Sequence, residues 1–226
     1  MGGLTTLAFG APFVPIANSN WTIESVDVPT NSGVVVANLA FPTNSLALSP
    51  AGALYVADPA GNLWDVTGPP IPAGSTGMAD IGDLDWSANG MWGFSNATSD
   101  LFFFDAGSVS VTYSQGLTVP VGLSVSGVAH QDSTGDTYLS AFDAGFNSYL
   151  FKNPSSSASL NLVGTMAHSD AGSYISDIEF DAGGILRGMT WFHRHLLTIN
   201  PNSAATSTIS TGPHRDSTAF AMDPVP

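Results

Sequence analysis

The feature that most constrains the fold is an internal repeat of short apolar strands separated by turns of small residues. The stretch LALSPAGALYVADPAGNLWDV (residues 46–66) contains three apolar runs, with a Pro-Ala-Gly break after each of the first two. The same order returns in residues 84–106, 128–153 and 178–201. Successive spacings of 38, 45 and 49 residues separate the hairpin glycines of these copies, which are Gly52, Gly90, Gly135 and Gly184. A period of about 40–50 residues that holds about four short strands is typical of a β-propeller.

The two chain ends supply a further copy. The segment STAFAMDP (residues 217–224) matches a first strand, and GGLTTLAFG (residues 2–10) matches a second. Residues 21–28 and 34–39 complete this unit. A circular array closes in this way, because strands from both ends share one sheet. We therefore predict an all-β fold, a five-bladed β-propeller with blades of about four antiparallel strands, closed by pairing of C-terminal and N-terminal strands.

The predicted propeller is a single domain that spans residues 1–226. Strands such as LFFFDA and TYLSAF are rich in aromatic and β-branched residues and are bounded by turn-forming residues. No window shows a persuasive helical period. The predicted blade units are approximately residues 217–226 plus 1–40, 41–80, 81–120, 121–170 and 171–216.

Two segments resemble known propeller repeats. The segment ISDIEFDAGGILRGMTWFHRHLLTINPNSAATSTIS (residues 175–210) resembles the repeats of extracellular bacterial propellers, in which a first strand I-x-x-L-A-F-D-P precedes G-x-L-Y-G and L-Y-x-I-N-P-x-T-G. The segment GALYVADPAGNLWDV (residues 52–66) is similar to the strand pair of NHL-type and gluconolactonase-like propellers. The first resemblance implies an extracellular repeat protein, and the second implies the fold alone.

Charge and composition narrow the possible partners and the location of the chain. The formal net charge is -14, and only four residues are Lys or Arg, so the sequence cannot assemble a basic groove for nucleic acid or a basic surface for an anionic membrane. No apolar run approaches the roughly 18 residues of a membrane span, and no signal peptide is visible. The chain contains no Cys. Few Lys and Glu with abundant Ser, Thr and Asn favour an extracellular or cell-surface location.

Four acidic residues on two predicted inner strands are the candidate ligand-binding residues. The strands IGDLDWS and ISDIEFD align so that Asp83 matches Asp177 and Asp85 matches Glu179. We expect one acid of each pair to face the axial channel, where two carboxylates could converge on a Ca²⁺ ion or a sugar. The alternative is a structural role, in which these acids accept hydrogen bonds from the backbone at strand starts.

Two histidines in WFHRHLL are weaker candidates for a metal site. His193 and His195 are two residues apart, and imidazoles at this spacing on a strand share a face. The repeat alignment instead places His193 and Arg194 in a tight turn, which predicts an exposed polar hairpin tip. Most Asp residues precede Pro, Ala or Gly at strand ends and are expected to form turns. The five Trp residues are expected to pack between blades.

The sequence shows no defensible catalytic constellation and therefore favours a non-enzymatic role. No Ser-His-Asp order, P-loop or Rossmann glycine pattern is present. We expect an extracellular structural or interaction protein that associates with itself, as an oligomer or filament, or with other surface proteins or glycans. Two alternatives stay open: a lectin-like binder of carbohydrates or small ligands, and a glycosidase or metal-dependent hydrolase with axial carboxylates.

Overall fold

The fold was analysed in a computed structural model that describes six segments of the chain. These are residues 13–18, 21–27, 32–87, 90–154, 158–211 and 217–222. The described residues form 20 β-strands. No helix suited to crossing a membrane occurs among them.

The strands form five antiparallel sheets of four strands each. One sheet contains strands from both ends of the chain: β1 (Phe13–Asn18), β2 (Thr22–Asp27), β3 (Ser32–Asn38) and β20 (Ser217–Phe220). The next contains β4 (Ala47–Leu48), β5 (Leu54–Ala57), β6 (Asn62–Asp65) and β7 (Ile71–Ser75). A third contains β8 (Ile81–Ser87), β9 (Gly90–Ser95), β10 (Asp100–Asp105) and β11 (Ser110–Gly116). The fourth contains β12 (Ser124–Gln131), β13 (Asp136–Phe142), β14 (Ser148–Asn153) and β15 (Asn161–Met166). The last contains β16 (Ile175–Phe180), β17 (Leu186–Thr190), β18 (Leu196–Ile199) and β19 (Thr206–Ser210).

In four of the sheets the strands follow one another as a meander, with the first strand innermost and the last outermost. In the sheet of both chain ends, β20 is innermost and β3 is outermost. The inner strand β12 packs against β8 on one side and β16 on the other, and β16 packs against β20. The inner strands β4 and β8 also pack together. This succession of meanders around a common axis confirms the predicted β-propeller fold.

The first and last described strands lie next to each other in one sheet. β1 and β20 pair antiparallel, with Ile16 opposite Phe220 and Ala17 opposite Ala219. The prediction that residues 2–10 form the second strand of this sheet is wrong, because β1 takes that position; residues 2–10 lie outside the described residues. β1 joins β2 through only three residues, and such short connections are the common way to link hairpin strands.

The core consists of apolar layers between neighbouring sheets. One layer joins the sheet of β1 to the sheet of β4, with Ile23, Leu46 and Leu54 all fully buried. Two of the tryptophans pack between blades as predicted. Trp86 stacks on Tyr55 with ring centroids 5.3 Å apart, and Trp92 stacks on His130 at 4.6 Å.

Four inner strands carry a β-bulge at the same position near their start. In β8 the register with the neighbouring strand skips one residue between Ile81 and Asp83, and the same step occurs in β12, β16 and β20. The residues left without an opposite partner are Gly82, Ser126, Ser176 and Thr218. A bulge redirects side chains relative to the regular pleat. These four residues consequently meet at one end of the channel.

Candidate functional site

The four candidate carboxylates are buried on the axis, where they connect inner strands. Asp83 Oδ2 accepts the backbone N–H of Val128 at 2.8 Å, and Asp85 Oδ2 accepts that of His130 at 2.6 Å. Both donors belong to the inner strand β12 of the neighbouring sheet. Each acid is therefore a hydrogen-bond acceptor that connects one inner strand to the next.

The second acidic pair repeats this arrangement. Asp177 Oδ2 accepts the N–H of Phe220 at 2.7 Å, and Glu179 Oε2 accepts the N–H of Met222. The two acids of each inner strand are two residues apart, so both lie on the same face and point toward the axis. The expectation that one of them faces the channel and the other does not is therefore wrong. The observed contacts agree with a structural role, although the bonds go to the neighbouring blade.

Asp83 and Asp177 form an interacting carboxyl pair. Neither Oδ1 atom has a hydrogen-bond donor among the described residues, and the two side chains interact with each other. Burial, followed by the nearby Asp177, raises the pKa of Asp83 well above its usual value. Burial raises the pKa of Asp177 to about 8. The pair therefore holds at least one proton at neutral pH.

A polar pocket lies at the end of the channel where the inner strands begin. Its volume is about 240 Å³. Residues from four of the sheets line it, together with Asn44 from the loop before β4. The polar residues of the lining include Asn44, Asp80, Asn96, Ser126, Ser176 and Thr218. Asn44 and Asp80 are exposed at the rim, whereas Ser126 and Ser176 are buried at the floor. Among the residues that the structure describes, no basic side chain lines the pocket.

The bulge in β8 explains why glycine occupies one position of the pocket wall. A Cβ atom on Gly82 would lie 2.6 Å from Nδ2 of Asn96 and 2.9 Å from the carbonyl oxygen of Val125. Asn96 donates to that carbonyl at 3.0 Å and accepts the N–H of Val125 at 3.1 Å. Glycine therefore makes room for an amide that holds the start of the neighbouring inner strand.

Stacked aromatic rings form one wall of the pocket. Phe142 and Tyr174 line it, and their ring centroids are 3.8 Å apart with an interplanar angle of 16°. Outside the pocket, Tyr174 also stacks on Trp191 at 5.7 Å and on Phe146 at 6.1 Å. Such a stack presents a rigid apolar wall beside the polar floor.

The histidines lie in the loop between β17 and β18. His193 donates a hydrogen bond from Nδ1 to Oδ1 of Asp170, and its backbone N–H donates to Oδ2 of the same carboxylate at 3.0 Å. The ring centroids of His193 and His195 are 5.9 Å apart. Within the described part of the chain, no group of three or more His, Cys, Asp or Glu residues is placed to hold a metal ion. The metal role of these two histidines stays a prediction.

The loop forms the predicted turn, but its tip is not an exposed polar surface. Arg194 has a positive φ of 52° and is only 2% exposed. Its Nη1 atom lies 3.0 Å from Oε2 of the buried Glu24. Arg194 and Glu24 therefore form an ion pair between the sheet of β16 and the sheet of β1, because the left-handed residue directs its side chain inward.

The aspartates at strand ends form turns, as predicted. Asp143 Oδ1 accepts the N–H groups of Gly145 and Asn147 at 2.8 and 3.0 Å. Its Oδ2 accepts the hydroxyl of Tyr149 at 2.9 Å. Equivalent turns are made by Asp58, with Trp64 as the side-chain partner, and by Asp181, with Arg187.

The outermost strands of the five sheets share two surface properties. None of β3, β7, β11, β15 and β19 contains a charged residue. Each exposes at least one large apolar side chain: Val34, Ile71, Tyr113, Leu162 and Ile209. Proteins commonly protect such edges with charged residues, because unpaired backbone groups can bind another strand.

Sequence reasoning missed the bulges, the pocket and the buried ion pair. A bulge adds one residue without changing the apolar pattern, so Ser126, Ser176 and Thr218 look like ordinary strand residues. One sequence feature indicates the pocket: in the aligned inner strands, the residue before Asp83 or its equivalent is always small or polar. These residues are Asn44, Gly82, Ser126, Ser176 and Thr218.

Comparisons with known proteins support the fold. The crystal structure of a nidogen/laminin complex contains a chain with a TM-score of 0.62 and 9% identity, covering 92% of this chain and 97% of that chain. Hydrazine synthase of Kuenenia stuttgartiensis gives a TM-score of 0.52 at 12% identity, covering 92% of this chain and 68% of that one.

A third similar structure is the extracellular domain of the putative hybrid two-component system BT4673 from B. thetaiotaomicron. It has a TM-score of 0.50 and 11% identity, and the match covers 92% of this chain but 28% of that one. No protein-family model and no curated protein sequence matches the chain. At these identities the similarities show a shared β-propeller fold alone.

Proposed function

We propose that the chain is an extracellular or cell-surface interaction protein, a five-bladed propeller that binds further copies of itself through its outermost strands. The observation that carries this proposal is the absence of charged residues from all five of these strands, together with the apolar side chains that each exposes. Pairing between strands of two copies would satisfy exposed backbone groups and bury these side chains.

The charge distribution supports lateral association. A net charge of -14 makes copies repel one another, and that repulsion is strongest where acidic groups face each other. Several of the acids lie at hairpin ends, such as Asp58, Asp143 and Asp181, and four more are buried on the axis. The sides of the propeller are consequently the surfaces on which two copies meet with least repulsion.

The test places a positive charge on three outermost strands at once, as Ile71→Lys, Leu162→Lys and Ile209→Lys. Edge lysines should prevent strand pairing, so the triple variant should stay monomeric where the native chain forms oligomers or filaments. Light scattering after size-exclusion chromatography and negative-stain microscopy measure this. The added lysines also lower the net negative charge, so reduced association could not be attributed to stronger repulsion.

Val121→Lys is the matched control, because Val121 is a fully exposed apolar residue outside the strands. This variant should associate as the native chain does. A native chain that is monomeric at high concentration, or a triple variant that assembles normally, would refute the proposal.

A second candidate function is the binding of a carbohydrate or other small ligand. The pocket at the channel mouth favours it, because polar groups from several sheets and an aromatic wall converge there. A hydrolase centred on Asp83, Asp85, Asp177 and Glu179 has less support, since each of these carboxylates already accepts a backbone N–H. Binding of Ca²⁺ on the axis stays a prediction, which melting curves with added CaCl₂ or chelator would test.

A further inference from the structure

A β-bulge near the start of an inner strand recurs in the lining of the pocket at the channel mouth. The bulges in three inner strands place the hydroxyl groups of Ser126, Ser176 and Thr218 in its lining. Bulges are over-represented next to functional sites, where they redirect a side chain. Three hydroxyl groups at equivalent positions of three sheets form a set of polar groups directed toward one space.

The hydroxyl protons of these residues are already used. Ser126 donates to the carbonyl of Ile175 at 2.8 Å, and Ser176 donates to that of Met189 at 3.2 Å. Thr218 donates to the carbonyl of Thr43 at 3.0 Å. A hydroxyl oxygen that has donated its proton keeps lone pairs that accept hydrogen bonds. The pocket therefore presents mainly acceptors, which complement a ligand with several hydrogen-bond donors.

The charge of the lining residues and the volume of the pocket limit the classes of ligand that can bind. Asp80 is an exposed acid at the rim, and no Lys or Arg of the described segments lines the pocket, so anionic ligands are disfavoured. The volume of about 240 Å³ lies below the roughly 300–1,000 Å³ of pockets that hold drug-sized ligands. The wall formed by Phe142 and Tyr174 offers an apolar surface for the C–H face of a ring.

We propose that this pocket binds a neutral polyhydroxylated ligand of monosaccharide size. The floor hydroxyls and the rim groups of Asn44 and Asp80 accept its O–H donors, and the ring lies against Tyr174 and Phe142. The proposal rests on the second candidate function, ligand binding, and it is independent of association through the outermost strands.

Saturation-transfer NMR with glucose, galactose, mannose and myo-inositol tests the proposal. At least one of these neutral probes should bind, and glucose 6-phosphate should bind at least about tenfold more weakly than glucose or not at all. The double variant Asn44→Ala/Asp80→Ala alters only exposed rim residues, and it should weaken binding about tenfold. Ser176→Ala removes one floor acceptor, and it should weaken binding by a smaller factor.

The matched control is Asp132→Asn/Asn202→Ala, which changes exposed groups in hairpins at the opposite end of the channel. It should leave binding unchanged. No signal with any neutral probe, or equal binding by the rim variant and the native chain, would overturn the proposal. Tighter binding of glucose 6-phosphate than of glucose would contradict the inference that the ligand is neutral. The monomeric lysine variant should still bind the neutral probe, which separates this proposal from the proposal on association.

Discussion

At the residue scale, the buried carboxyl pair couples the fold to pH. The folded-state pKa of Asp177 is about 8, and burial also raises that of Asp83. The folded chain thus holds protons that the unfolded chain releases near pH 4. Their contribution to stability is fully present below the unfolded pKa and is lost as the pH rises through the folded pKa.

We predict that the free energy of unfolding falls by several kcal/mol between about pH 4 and pH 8. Asp177→Asn keeps an acceptor for the N–H of Phe220 but cannot ionise, so it should reduce this slope and leave the part that comes from Asp83. Urea titrations at several pH values measure the change. Asp100→Asn, a substitution outside the channel, should leave the slope as it is, and an undiminished slope in Asp177→Asn would contradict the assignment.

The ion pair of Arg194 with Glu24 gives a second prediction at this scale. Removing one member of a buried pair leaves the other charge uncompensated, which costs about 3–5 kcal/mol. Glu24→Gln should therefore lower the free energy of unfolding strongly, whereas the joint change Glu24→Gln/Arg194→Met should recover part of the loss. A double-mutant cycle by chemical denaturation measures the coupling. Additive losses would show that the pair contributes nothing as a unit.

At the element scale, the repeated aspartate turn organises three hairpins in the same way. In each, one carboxylate oxygen holds two backbone N–H groups, and the other binds a side chain six residues later. The side-chain partner differs, as tryptophan, tyrosine or arginine. The turn itself therefore depends on the backbone contacts, which an amide oxygen can also make.

We predict that Asp143→Ala lowers the free energy of unfolding, because two backbone N–H groups lose their acceptor. Asp143→Asn should cost less, since its amide oxygen can still accept from Gly145 and Asn147. The midpoint of urea unfolding is the measurement. Equal losses in the two variants would mean that the charge, and not the turn geometry, stabilises the hairpin.

Sequence patterns predicted elements better than they predicted contacts between elements. The runs in residues 46–66 became β4, β5 and β6, because apolar strands and glycine turns are local signals. Pairing of β20 was predicted, but its partner was placed too early, since residues 2–10 and 13–18 are both plausible strands. The burial of Arg194 was not predictable, because its partner Glu24 lies 170 residues away.

At the scale of the whole molecule, the sheet that contains both β1 and β20 joins the two ends of the described chain. Phe220 is fully buried, and its N–H binds Asp177 of the preceding sheet. Thr218 connects the same strand to the carbonyl of Thr43 on the other side. Loss of β20 would therefore expose the inner faces of two neighbouring sheets.

We predict that deleting residues 217–226 unfolds the whole domain. The reason is that an inner strand is removed, together with the donors for Asp177 and Glu179. Circular dichroism and amide exchange measure the remaining structure. Phe220→Ala serves as the comparison: it should lower the free energy of unfolding by about 3–5 kcal/mol but leave one cooperative transition. A deleted chain that melts with the native cooperativity would contradict this prediction.

The shortness of β4 has a consequence for how the molecule opens. Its ladder with β5 contains two residue pairs, Ala47–Tyr55 and Leu48–Leu54, whereas the ladder of β8 with β9 contains six. Amide protons exchange with solvent through local openings, which occur more often where fewer hydrogen bonds must break. We therefore expect the ring of sheets to separate transiently around β4, with faster deuterium uptake there than in the other inner strands.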